Sequence, residues 1–385
     1  MAGWSLVRVA LLSDCYLPRL GGIEVQVHAL AHRLVAAGHE VEVVTATAGP
    51  TRTRTVEADA GVTVHRLPLP FPGAPPVNPF VTEEVRRLLG SGGFDVAHAH
   101  MGVVSPFATG LVDVALACAV PTAVTWHCVI DRSAPILRAL GHARRWNERR
   151  AALSAVSTMA AARVSGVAGG ARVEVLGNGI DVDAWRPQSD EVRAQDDVVR
   201  VVSALRFVRR KRPGALVDVL RSARHRLDRT RPGVRLEAHL VGDGPQRRVV
   251  AAGLRRHGVD WVHLPGRVTR EELRDLHRRS DVYLTTARLE AFGIAVLEAR
   301  TAGLAVVART GTGVEDFVTD GREGLLRGSD DALAAALADL AGDRTRLHGI
   351  RAHNLSTPPA QSWDRVVEGT TAEYARARRL AGHLS

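Results

Sequence analysis

The chain has 385 residues, too many for one ordinary hydrophobic core, so two domains are the first expectation. Hydrophobic residues make up 45% and charged residues 24%, a globular rather than a disordered balance, and no apolar run is long enough to span a bilayer. The net charge of +10 favours anionic partners, but aromatics are only 4% and no nucleic-acid-binding motif occurs, so nucleic acid is not among those expected.

Short apolar strands alternate with amphipathic helices along the whole chain, which predicts α/β layering around parallel sheets. Leu6–Ser13 reads as a first strand rather than a signal peptide, because it has no basic flank and no cleavage site. A cytoplasmic protein is expected, with contact to the inner membrane face left open. Gly21 and Gly22 then lead into a helix whose apolar face carries Ile23, Val27, Leu30, Leu34 and Val35, stopped by Gly38. Further strands are predicted at Val41–Thr45, Val62–Leu67, Val96–Ala99, Thr122–Trp126, Ser154–Val156 and Val173–Leu176. Pro68–Pro79 is a loop, since repeated proline removes backbone donors. A polar segment near Pro187–Asp197 separates this series from a second one, with strands at Val199–Ala204, Leu236–Val241, Trp261–Leu264, Val282–Leu284 and Leu304–Ala308. The expected domains are therefore residues 1–186 and 187–360. A final helical stretch, residues 361–385, follows Pro358-Pro359 and is expected to pack back on the first domain. In such sheets ligands gather at the carboxyl ends of the strands, here in a cleft between two facing domains.

The most informative segment is Glu290-Ala-Phe-Gly-Ile-Ala-Val-Leu-Glu298, which follows a strand and opens a helix near Gly293. Two carboxylates there suit a hydroxyl-rich ligand, and the free N–H groups of a helix start suit a diphosphate between them; taken in isolation the segment also fits an ordinary amphipathic helix with two solvated acids. Arg206 and Lys211 form a second constellation, two cations on a strand-to-helix loop that are either placed to neutralise a departing diphosphate or part of a solvated basic loop with Arg209, Arg210 and Arg212. Lys211 is the only lysine in an arginine-rich chain, which hints at a need for a compact charge. The glycine pair at 21 and 22 fits either a close backbone approach to a phosphate or a plain tight turn. Val241-Gly-Asp-Gly-Pro245 is a similar turn but lacks the third glycine of a dinucleotide fingerprint, and there is no P-loop. His127 ends a predicted strand, and Asn178-Gly179-Ile180-Asp181 reads as a structural turn. The basic segment Arg138–Arg150 fits either a solvated helical face or an anionic membrane surface. Cys15, Cys118 and Cys128 form no paired motif and read as reduced thiols. His98, His100, His127 and Cys128 lie on separate segments, unlike the tight spacing of a zinc site, so no metal is expected.

Taken together, Ser13-Asp-Cys-Tyr-Leu-Pro-Arg-Leu-Gly21-Gly22-Ile-Glu24, Gly38-His39-Glu40-Val41, Val124-Thr-Trp-His127, Ser154-Ala-Val-Ser157, Asn178-Gly-Ile-Asp181, Val241-Gly-Asp-Gly-Pro245 and the spaced glutamates resemble glycosyltransferase family 4. The opening is also similar to the transferases that add N-acetylglucosamine or mannose to phosphatidylinositol. The resemblance covers nearly the whole chain and loosens beyond about residue 310, where Gly311-Thr-Gly313-Val-Glu315-Asp316 stands in place of a common Gly-Gly pair. It implies a GT-B fold of two Rossmann-like domains and a metal-independent enzyme that retains anomeric configuration. That enzyme moves a hexosyl or N-acetylhexosaminyl group from a UDP- or GDP-linked sugar to a hydroxyl.

By matching position, the family implies that Arg206 and Lys211 hold the diphosphate and that Glu298 holds the ribose. Glu290 and the backbone of Phe292, Gly293 and Ile294 would hold the sugar, with Gly22 near the phosphates and His127 near the sugar's outer hydroxyls. No cofactor is implied. The acceptor stays open among a lipid head group, a cyclitol, a polysaccharide and a natural product, contacted from Pro68–Pro79 and strand ends near His100. A nucleotide-sugar epimerase or hydrolase, a phosphorylase, and a non-catalytic nucleotide-sugar-binding partner remain as alternatives.

Overall fold

In this computed structural model, residues 6–69, 71, 76–131, 133–187 and 197–382 are described. The linker expected near Pro187–Asp197 and the middle of the Pro68–Pro79 loop lie largely outside them. The chain divides into two compact units: Met1–Gly179 with Gln361–Ser385, and Ile180–Ala360. The expected boundary at 186/187 therefore moves to 179/180. Asp181 caps the short helix Val182–Trp185, and the Trp185 ring packs 5.3 Å from the buried His277 ring, which ties this stretch to the second unit.

The first unit is built on eight strands: β1 (Arg8–Ser13), β2 (Glu40–Thr45), β3 (Thr55–Asp59), β4 (Val62–Arg66), β5 (Val96–Met101), β6 (Thr122–Trp126), β7 (Ala152–Ala155) and β8 (Val173–Val175). They lie in the order β3-β4-β2-β1-β5-β6-β7-β8, all parallel except the β3–β4 hairpin. Near-continuous apolar runs such as Val9–Leu12 are what a parallel sheet covered on both faces requires. Alternation splits them. Ala10, Leu12 and Val44 join one core, while Val9, Leu11, Val41 and Val43 join the core on the opposite face.

The helix Gly22–Ala36 covers that second face and ends in a Schellman motif: the Gly38 N–H bonds the Val35 carbonyl at 2.9 Å and the His39 N–H bonds Leu34 at 3.0 Å. The last helix, Trp363–Leu380, completes the same core through Trp363, Val366, Tyr374 and Ala377. The Tyr374 hydroxyl lies 3.0 Å from His98 Nδ1 in β5. The basic segment forms two short helices, Ala134–Leu140 and His142–Glu148, because Gly141 at φ 67° breaks the run.

The second unit carries β9 (Val198–Ala204), β10 (Arg235–Val241), β11 (Val262–Gly266), β12 (Val282–Leu284), β13 (Ala305–Arg309) and β14 (Gly324–Arg327). Their order is β11-β10-β9-β12-β13-β14, parallel throughout. Strands β3 and β14 escaped sequence reading. The β3–β4 turn is Ala60-Gly61, with φ 46° and 89°, and alanine is an unusual residue for such a hairpin turn. In β14, Gly324 sits where a Cβ would come 2.1 Å from the Val306 carbonyl, so a glycine that looks like a breaker is required by the close approach to β13.

Candidate functional site

In the second unit, sheet order reverses between β9 and β12, and the loops that leave these two neighbours diverge there. The first loop carries Arg206 and Lys211, the second Glu290 and Gly293. Lys211 Nζ donates to Glu290 Oε2, and each side chain is about one-fifth exposed (21% and 20%). Arg206 is on the same loop with an exposed side chain. So the sequence-predicted cation and carboxylate do meet, through one of the three Lys211 N–H donors and one of the two Glu290 oxygens.

Residues not singled out from sequence hold this loop in place. Arg212 adopts φ 55° and forks onto Asp330 through Nη1 (2.8 Å) and Nη2, while Nη1 also reaches the Thr286 carbonyl at 3.0 Å. Thr286 Oγ1 returns a bond to the Arg212 carbonyl at 3.2 Å. This pairing holds the Asp330 carboxyl below its usual range, chiefly through the Arg212 hydrogen bond. Gly242 and Gly244 of the Val-Gly-Asp-Gly-Pro turn are needed for the same loop. The Leu205 N–H bonds the Val241 carbonyl at 3.0 Å and the Phe207 N–H bonds the Asp243 carbonyl at 2.9 Å. A Cβ on Gly242 would lie 2.0 Å from the Leu205 carbonyl. The backbone on either side of Arg206 is thus clamped from the neighbouring strand end.

The acidic segment is built with equal closeness. Gly293, at φ 96°, precedes the helix Ile294–Thr301. The Phe292 ring is buried 5.3 Å from Phe317, which leaves only the Phe292 backbone for a ligand. Gly313 donates its N–H to the Glu290 carbonyl at 2.9 Å, and a Cβ there would fall 2.0 Å from the Ala291 carbonyl. Glu298 does not join the Lys211–Glu290 pair. It is buried and accepts from Arg270 Nη2 at 3.0 Å. Burial outweighs Arg270 and Arg274 and pushes the Glu298 carboxyl up to about 7. Arg270 and Arg274 in turn sit 5.7 and 5.5 Å from the Trp185 ring, in cation–π range. Neither arginine carries a local motif that sequence reading could have caught.

In the first unit, the paired register sets Ser13 beside His100 at the carboxyl ends of β1 and β5, and β6 leads into His127. His100 Nδ1 lies 3.0 Å from His127 Nε2, and the His98 and His100 rings stack at 4.1 Å. Burial pushes His127 down to about 4, His98 down to about 3, and His100 well below the usual range, so all three imidazoles are neutral at pH 7. His98 is used up structurally, bonded to Tyr374 and, at 2.7 Å, to Thr125. His127 as a residue is partly exposed, but its Nε2 is engaged by His100 and its Nδ1 is buried. Gly22 is the first residue of the helix Gly22–Ala36, with Gly21 extended before it. Gly179 is structural: Gln26 bonds its N–H and its carbonyl, both at 3.0 Å, and Trp363 fills the space where a Cβ would stand. Cys15, Cys118 and Cys128 take part in no disulfide among the described residues.

Residues 20–184 match the model of Glycosyltransferase Family 4 and residues 186–355 that of Glycosyl transferases group 1. The chain is 30% identical to the GDP-mannose-dependent alpha-(1-6)-phosphatidylinositol monomannoside mannosyltransferase of Mycobacterium tuberculosis, over 96% of this chain and 98% of that protein. It is 25% identical to a phosphatidylinositol N-acetylglucosaminyltransferase chain of Arabidopsis thaliana, over 97% and 83%. Among solved structures, Anabaena HepE in complex with UDP and glucose superimposes with a TM-score of 0.71 at 17% identity, covering 96% of this chain and 99% of that one.

Two parallel-sheet units with these strand-end loops define a GT-B glycosyltransferase fold. The chain belongs to glycosyltransferase family 4 and is a hexosyltransferase that draws on a nucleotide-sugar donor.

Proposed function

We propose that the protein transfers a hexose from a nucleoside diphosphate sugar to an inositol hydroxyl, with retention of configuration and without a catalytic divalent metal. The observation that carries this reading is the joining of Lys211 to Glu290 where the order of the second sheet reverses. Donor binding separates them. Lys211 turns to the diphosphate with Arg206, and Glu290 turns to the sugar hydroxyls alongside the backbone of Phe292, Gly293 and Ile294. Glu298 accepts from the ribose, and Gly22 approaches the phosphates.

As the glycosidic bond breaks, negative charge builds on the departing diphosphate while positive charge develops at the anomeric carbon. Arg206, Lys211 and the helix start at Ile294 stabilise the first of these. Three such positive elements supply charge that a metal would otherwise bring. The leaving phosphate takes the acceptor's proton on the same face of the sugar, so configuration is kept. His127, held neutral by burial, bonds a sugar hydroxyl without adding charge beside the developing cation. The inositol acceptor is supported by relatives that act on phosphatidylinositol or its mannoside. A net charge of +10 also suits a phosphorylated acceptor or a contact with an anionic membrane face.

The test is a donor screen by ligand-induced thermal shift, followed by transfer to inositol phosphate or phosphatidylinositol with the product anomer read by proton NMR. An inverted product would refute retention. Loss of turnover in chelator at a temperature where the protein stays folded would refute metal-free transfer, and failure to turn over either acceptor would redirect the acceptor assignment.

A further inference from the structure

We propose that the first unit carries a site for a divalent transition metal of the zinc type, held by His28, His32 and Asp59 and separate from the transfer chemistry. The two histidines are one helical turn apart on Gly22–Ala36 and project to the same face, their rings 4.3 Å apart. Asp59 ends β3, and the Ala60-Gly61 turn beyond it is pressed on the same helix, where a Cβ on Gly61 would lie 2.9 Å from Val35 Cγ1. This close approach of the turn backbone to the helix sets the carboxylate opposite the two rings. Asp59 Oδ2 lies 3.6 Å from His28 Nδ1 and 3.6 Å from His32 Nε2, and the three ligand atoms all fall within 4.8 Å of one another. Two bonds of the length zinc makes to nitrogen and oxygen, set at a tetrahedral angle, separate their donor atoms by about 3.3 Å. The two Asp59 separations need only a few tenths of an ångström of closure, and the two histidine nitrogens close from no more than 4.8 Å by side-chain rotation.

Hydrogen bonding around the site orients it for a cation. His32 Nδ1 lies 2.8 Å from the His28 carbonyl, which can only accept, so that nitrogen carries the hydrogen. In the neutral ring the Nε2 lone pair then faces the Asp59 carboxylate, acceptor against acceptor, an arrangement a metal ion relieves. A backbone carbonyl that sets the ring in this way is the usual outer partner of a metal-bound histidine. The Tyr16 hydroxyl, 3.1 Å from His28 Nδ1, must turn aside when that nitrogen binds metal. All three side chains are partly exposed, at 31%, 25% and 45%, which gives an ion access and leaves a fourth position for water. Imidazole and carboxylate together suit zinc, cobalt or nickel rather than magnesium or calcium. A bound ion would join the edge hairpin to the helix that begins at Gly22, so its effect is on stability.

The experiment uses the full chain without an affinity tag, titrated with cobalt by visible absorption and with zinc by calorimetry. One equivalent is expected, with a raised thermal midpoint. His32→Gln and Asp59→Asn should each weaken binding at least tenfold while the far-UV circular dichroism without metal stays unchanged. His239→Gln serves as the control, since Glu237, His239 and His263 form the other three-residue group of this kind among the described residues. Should His32→Gln not fold, Asp59→Asn at the hairpin end gives the same reading. Absence of binding, which leaves a proton-mediated ion pair as the role of these residues, would overturn the proposal. So would binding that survives His32→Gln and Asp59→Asn or is lost on His239→Gln.

Discussion

Replacing Lys211 by Met tests the centre of the mechanism, because the same side chain has one role in the ligand-free protein and another in the transition state. In the free protein it pairs with Glu290 at about one-fifth exposure, so water reaches both groups once the pair is broken. The stability cost should be about 1 kcal/mol, a shift of about 2–4 °C in the thermal midpoint of a unit this size. Against the departing diphosphate, removal of one aimed positive group costs about 3–4 kcal/mol, or about 10²- to 10³-fold in kcat. These two magnitudes differ enough to be separated. The assay is nucleoside diphosphate release at saturating donor, beside thermal melts of wild type, Lys211→Met, Glu290→Gln and the double variant. If Lys211 served only to pair with Glu290, both single variants would lose activity equally and the double variant would lose no more. A Lys211→Met enzyme within threefold of wild-type turnover would refute the reasoning outright.

Other outcomes follow from the same geometry. With Glu298 pushed up to about 7 by burial, donor affinity should fall by up to about tenfold per pH unit below that value, because the ribose needs an ionised acceptor. Calorimetric donor titrations from pH 5.5 to 8.5 would show this slope, and Glu298→Gln should flatten it. Stability moves the other way. The folded state holds the Glu298 proton more tightly than the unfolded chain, so this group's contribution is full below about 4.5 and is lost as pH rises through about 7. Denaturant unfolding of wild type against Glu298→Gln across that window reads the difference. Gly242→Ala places a methyl on backbone at φ 120° and 2.0 Å from the Leu205 carbonyl. It should cost at least about 2 kcal/mol in urea unfolding and weaken donor binding through the displaced Arg206 loop. Tyr374→Phe leaves buried His98 Nδ1 without its partner and should cost about 1–3 kcal/mol with donor affinity unchanged. An unchanged unfolding midpoint would show that this bond adds nothing to the docking of the last helix.

Much of the architecture was legible in local pattern. Thr122–Trp126 and Val282–Leu284 were readable to the residue, because doubly buried parallel strands appear as short runs of apolar, β-branched and aromatic residues between turns. Lys211 and Glu290 were legible as candidates because each lies on a loop between a strand and a helix, and those two strands, β9 and β12, are neighbours where sheet order reverses. Chain order and element type thus came from spacing, and the roles of the candidate binding loops from the family resemblance. What tertiary structure alone decided are partners distant in sequence. Arg270 holds Glu298, Arg212 locks its loop onto Asp330, Tyr374 reaches His98, and Gly313 is needed only because Ala291 passes so close. His28, His32 and Asp59 belong with these. The helical spacing of the histidines is visible in the sequence, but the carboxylate arrives on a hairpin whose turn has no glycine-asparagine signal. Periodicity records which face of an element is buried; it carries no record of what that face will meet.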